Sequence, residues 1–99
     1  MHESKIKSPE MDDLFAAIRS LPDEESCYRF FEDLCTIGEL LAMKQRFEVV
    51  RELKRGETYS VIAQKTGAST ATISRVNRCL SYGTGGYEAA IAAMEDNKD

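Results

Sequence analysis

The stretch Thr70 to Arg78 reads TATISRVNR, and its polar side chains share one chemistry. Arg75 and Arg78 carry planar guanidinium forks, suited to phosphate oxygens and to the O6/N7 edge of guanine. Thr70, Thr72 and Ser74 offer short hydroxyls for phosphates or bases, and Ala71 or a threonine methyl packs well on the C5 methyl of thymine. Residues 59–82 contain three basic side chains and no acidic one, so nothing there repels a polyanion. Residue types and spacing point to a nucleic-acid duplex, with base edges met by Thr70, Ala71, Thr72 and Arg75 and phosphates by Ser74 and Arg78.

Such contacts need a helix that turns this face outward. Ile73, Val76 and Leu80 recur at spacings of three and four, so they form one inward stripe. At 100° per residue, Ala71, Arg75 and Arg78 then point away from it, with Thr70, Thr72 and Ser74 on the flanks. Ser69 is placed to cap this helix, since its hydroxyl can accept from an orphan backbone N–H two or three residues on. A shorter helix precedes it, N-capped by Thr58 and turned inward at Ile62 and Ala63. Gly67 stands where that helix must stop, a position that favours a left-handed backbone. Two antiparallel core helices would satisfy the periodicity alone. The caps, the glycine and small Ala63 four residues before it together favour a helix-turn-helix over residues 58–81.

The rest of the chain supports that unit. Thr36-Ile37-Gly38-Glu39 is a capping box opening a helix that closes at Gly56, with Leu40, Met43, Phe47, Val50 and Leu53 as its expected buried stripe. Lys44, Arg51, Lys54 and Arg55 project from it, and Arg46 adjoins the stripe. Arg51, Lys54 and Arg55, with Lys65 from the following helix, extend the set of phosphate-binding candidates. Upstream, residues 1–8 are expected to be a flexible tail, and Pro9 to open a helix with Met11, Leu14, Phe15, Ile18 and Leu21 inward. Pro22 is expected to start another, acidic in its first turn at Asp23, Glu24 and Glu25, where the helix dipole favours negative charge. Tyr28, Phe30, Phe31, Leu34 and Cys35 make this second helix apolar on more than one face, which in a small chain hints at a subunit interface. After a break at Tyr82-Gly83-Thr84-Gly85-Gly86, a last helix follows within 84–99. The expected architecture is all-α, six helices in a single domain of 1–99, with 9–57 serving dimerisation.

Composition bounds the function. The 99 residues carry a net charge of −4, an unusual balance for a polyanion binder, but the charge is unevenly spread. Residues 1–35 hold nine acidic and four basic side chains, 36–58 four and five, and 83–99 four and one. Because salt screens charges beyond about 8 Å, a local basic face on an acidic body still binds phosphate. No apolar run reaches the roughly 18 residues of a membrane span, and no signal-peptide pattern opens the chain; a soluble cytoplasmic protein is expected. Cys27, Cys35 and Cys79 lack metal-ligand spacing and are expected to be small apolar fillers. With His2 the sole histidine, no metal site or cofactor is expected. Neither a Ser/His/Asp or Cys/His set nor a phosphate loop is present, so an enzyme is not expected. Two classes remain: a DNA-binding regulator, or a helical adaptor that retains the fold without binding DNA.

Thr36 opening the third helix, Arg46 within it, RELKRGE closing it and GASTATISR on the recognition helix resemble the Trp repressor superfamily. CYRFFEDLCT and GASTATISRVNRCLSYG resemble its YerC/YecD-type branch, whose members are mostly described as candidate transcriptional regulators. The resemblance spans nearly the whole chain. It implies an intertwined homodimer with paired recognition helices on double-stranded DNA. It also implies a candidate effector pocket: Arg46 and Arg75 match the two arginines that sandwich the tryptophan indole, and Thr36 matches a threonine supplied by the other subunit. Two positions depart from the pattern. Val76 stands where the repressor has a glycine that leaves room for the indole, and Cys79 replaces a serine near the ligand amino group. These departures argue against tryptophan as the effector, leaving Arg46 and Arg75 for phosphate contacts or another ligand.

Overall fold

Six α-helices make up the described residues: α1 (Pro9–Arg19), α2 (Glu24–Leu34), α3 (Ile37–Lys54), α4 (Tyr59–Thr66), α5 (Thr70–Tyr82) and α6 (Gly86–Asp96). The structure is a computed structural model that describes residues 3–97. Residues 1–2 of the expected tail and 98–99 of the expected last segment lie outside the described residues. The chain divides into two compact units, Met1–Leu40 and Leu41–Asp99.

In the first unit, side-chain caps set the helix starts. The Ser8 hydroxyl accepts from the Met11 backbone N–H at 3.0 Å, with Pro9 just inside the helix, where its missing N–H costs nothing. Pro22 precedes α2 rather than starting it. The Asp23 carboxylate accepts from the Ser26 N–H at 2.9 Å and fixes Glu24 as the first helical residue. Hydrogen bonds from the Ser26 side chain and backbone hold the Asp23 carboxyl below the usual carboxylate range. The capping box at α3 is formed in both directions: Glu39 N–H donates to Thr36 Oγ1 at 3.1 Å and Thr36 N–H to Glu39 Oε1 at 2.8 Å. None of the described residues of this unit is fully buried.

The second unit holds the core. Val49 and Val50 of α3, Ile62 of α4, Ala68 and the α5 residues Ile73 and Val76 are buried together, with Leu53, Ala63, Leu80, Tyr87 and Ile91 packed around them. The α3 stripe differs from the expected one. Val49 is fully buried beside Val50, whereas Met43 is exposed, because the core gathers on the C-terminal half of the helix. Arg51 is half-buried rather than projecting freely. The cysteines also depart from expectation. Cys27 and Cys79 are exposed and Cys35 half-buried; α2 buries no residue fully and α5 turns Ile73 and Val76 inward instead. No helix among the described residues is long and apolar enough to cross a membrane.

Candidate nucleic-acid interface

Helices α4 and α5 are joined by Gly67, Ala68 and Ser69. The Thr58 hydroxyl caps α4, accepting from Val61 N–H at 3.2 Å. At the other end Gly67 adopts φ 75°, the left-handed conformation that glycine takes without a Cβ penalty, while its N–H donates to Ala63 O at 2.9 Å. The Thr66 hydroxyl donates to Ile62 O at 2.7 Å and accepts from Ala68 N–H at 3.2 Å, so it ties the turn to the helix before it. Ala68, buried, anchors the turn in the core. Two side-chain hydrogen bonds brace the unit. Gln45 Nε2 of α3 donates to Thr66 O at 3.2 Å, and Asn77 Nδ2 of α5 donates to the Tyr59 hydroxyl at 3.1 Å.

With Ile73 and Val76 sealed in the core, the opposite side of α5 is open. Thr70, Ala71, Ser74, Arg75 and Arg78 are exposed and Thr72 is half-buried. The Ser69 oxygen accepts the Thr72 backbone N–H at 3.1 Å, and its hydroxyl donates to Thr72 Oγ1 at 3.1 Å. That leaves the Thr72 hydroxyl proton available to an outside acceptor. Arg75 and Arg78 have no ion-pair partner among the described residues. The structure therefore brings the four expected base-reading residues together near the start of one helix.

The expected phosphate contacts are in a different state. Lys54 Nζ pairs with Glu88 of α6 at 2.7 Å, while Arg55 and Lys65 both pair with Glu52. Arg51 has no ion-pair partner among the described residues. The Lys54–Glu88 pair, exposed on both sides, is worth about 0–1 kcal/mol, so a phosphate can displace it. Of the candidate effector residues, Thr36 belongs to the first unit and Arg46, Arg75 and Cys79 to the second. Arg46 is half-buried and Arg75 exposed. Cys79 lines an apolar recess of about 350 Å³ with Gly83, Thr84, Gly86 and Tyr87.

Sequence reasoning passed over two connections here. Glu52 stands three residues before Arg55, a spacing that signals a helical ion pair, but its bond to Lys65 depends on how α3 meets α4. The Tyr59–Asn77 bond likewise follows only from the crossing of α4 and α5. No group of three or more His, Cys, Asp or Glu side chains is disposed to hold a metal ion among the described residues.

Comparison with known proteins places this geometry in context. The family model described as Trp repressor protein matches residues 9–95. The uncharacterized protein YerC of Bacillus subtilis strain 168 is 52% identical over 98 residues, 99% of this chain and 94% of YerC. Two crystal structures superpose closely. One is a TrpR-like protein from Eubacterium eligens, with a TM-score of 0.88 at 50% identity over 96% of this chain and 98% of that one. The other is a candidate Trp repressor from Staphylococcus aureus, with a TM-score of 0.89 at 42% identity over 100% and 99% of the two chains.

Proposed function

We infer that this chain, which belongs to the Trp repressor superfamily in its TrpR/YerC-YecD form, is a sequence-specific DNA-binding transcriptional regulator that works as a homodimer. The superfamily comprises non-catalytic DNA-binding regulators. The observation that carries the proposal is the outer face of α5: exposed hydroxyls, arginines without an ion-pair partner among the described residues, no acidic residue from Thr58 to Tyr87, and a buried Ile73–Val76 stripe behind them. On this proposal α4, the turn and α5 form a helix-turn-helix. Thr70, Ala71, Thr72 and Arg75 read base edges, while Arg51, Lys54, Arg55, Lys65, Ser74 and Arg78 hold phosphates. Paired α5 helices roughly 34–36 Å apart would read the two halves of a palindrome.

Support for a homodimer comes from apolar side chains left open in the first unit, where Tyr28 is 64% and Ile37 77% exposed. Burying apolar side chains is favourable, so a partner subunit that covered them would gain stability. Residues 1–99 would then act as a single dimerising domain in the cytoplasm. Tryptophan is not the effector in this proposal, because Val76, 1% exposed, stands where the resemblance places the glycine that makes room for the indole. Arg46, Arg75 and Cys79 of one subunit, with Thr36 supplied by the other subunit as the resemblance implies, remain a candidate pocket for a different ligand.

Titration with random-sequence duplex between about 50 and 200 mM salt tests the proposal, since phosphate contacts make affinity fall steeply across that range. A steep loss, together with a dimer in sedimentation, is the expected result. A helical adaptor that does not bind DNA would show no such affinity, and a stable folded monomer would remove the homodimer.

A further inference from the structure

Glu52 lies near the C-terminal end of α3 with its side chain only 13% exposed. Its two carboxylate oxygens face different cations. Oε2 accepts from Arg55 Nη1 at 2.6 Å, and Oε1 accepts from Lys65 Nζ at 3.3 Å. Arg55 sits just past α3 and Lys65 in the last turn of α4, so one carboxylate gathers cations from two elements. Arg51 lines the same groove of about 300 Å³, with Phe47 and Glu48. Three cations and two carboxylates thus border the groove, and one of the carboxylates is already committed to two of the cations.

We propose that Glu52 is a positioning residue for DNA phosphate binding, holding Arg55 and Lys65 as a two-pronged cation pair; this rests on the DNA-binding function proposed above. Arg55 spends one of five N–H donors on Glu52 and Lys65 one of three, so each keeps donors for a phosphate oxygen. Long cationic side chains lose rotamer freedom when they are fixed at an interface, and ordering them beforehand removes part of that loss. A carboxylate near a polyanion also repels it. Here the carboxylate lies beneath two cations that are themselves more than half exposed, 56% for Arg55 and 54% for Lys65. Positioning outweighs repulsion, and the two effects predict opposite signs for removal of the charge.

Two variants of the full-length protein, titrated with random-sequence duplex, separate these effects. Glu52→Gln keeps the side chain's shape and removes its charge. Positioning predicts binding weaker by about three- to tenfold although the protein has become more positive. Glu52→Asp keeps the charge but draws the carboxylate back by one methylene, so both pairs cannot persist. Weaker binding is expected again, where pure repulsion predicts no change. In an Arg55→Ala/Lys65→Ala background the loss caused by Glu52→Gln should vanish, and melting curves establish that each variant is folded. Equal or tighter binding by folded Glu52→Gln, or unchanged binding by folded Glu52→Asp, overturns the proposal. Failure of the unmodified protein to bind duplex would instead refute the DNA-binding function and this inference with it.

Discussion

Val76 shows how much one side chain can decide. It is buried in the core beside Ile73, on the same helix as exposed Arg75. By resemblance to the Trp repressor, its methyls occupy the volume that a tryptophan indole would need. Forcing bulk into a filled site costs roughly 1–3 kcal/mol, about one to two decades of affinity. Cys79, a poor hydrogen-bond acceptor, adds nothing to offset that. Calorimetry should therefore detect no millimolar or tighter tryptophan binding by the unmodified protein, while Val76→Gly creates weak indole binding and lowers stability through lost packing. Tight tryptophan binding by the unmodified protein, with a matching gain in DNA affinity, would show that Val76 does not fill the site. At this scale the α5 residues were legible in the sequence, because helical periodicity alone separates Ile73 and Val76 from Arg75 and Arg78. The pairing of Lys65 with Glu52 was not, because it joins side chains thirteen positions apart through tertiary packing.

At the scale of the element, caps and turns carried the strongest signals. Thr36, Thr58 and Ser69 make the backbone hydrogen bonds expected of them, and Ser8, assigned by the sequence to the tail, caps α1 as well. Where a weaker rule competed, it lost: the Asp23 cap set the start of α2 at Glu24, two residues beyond Pro22. The stripe of α3 was only half legible, since periodicity marks a face but not which half of a long helix the core will cover. Two glycines show the same boundary. Gly67 was expected at φ > 0 and is found at 75°, with only Gln45 Nε2, 3.9 Å away, near the position of an added Cβ. Its constraint is conformational. Gly83 looked like a simple loop marker, yet an added Cβ there would overlap the Cys79 carbonyl oxygen that its own N–H bonds. Gly67→Val should cost about 1–2 kcal/mol, lowering the melting temperature by roughly 4–8 °C per kcal/mol and weakening DNA binding with it. Gly67→Asn should lose less, because asparagine tolerates the left-handed region. Equal stability for all three proteins would show that the turn does not depend on that backbone conformation.

For the whole molecule, the net charge of −4 is a poor guide and its distribution a good one. Negative charge gathers in the first 35 residues and after residue 83, while α5 remains free of it. The second helix was legible as apolar on several faces, and the structure leaves Tyr28 and Leu34 of that helix exposed; a single sequence says that such a face wants covering, and packing within one chain does not cover it. Base reading by α5 is the central claim, and it separates from phosphate binding because base contacts specify whereas phosphate contacts position. The direct measurement is the affinity of Thr72→Ala, Arg75→Ala and Lys54→Ala for a duplex selected from a random pool and for a random-sequence duplex. Thr72→Ala and Arg75→Ala should lose about 1–3 kcal/mol on the selected site and much less on the random one. Lys54→Ala should weaken both equally and reduce the salt slope by about one. Equal losses on both duplexes for all three variants would contradict base reading by this face of α5.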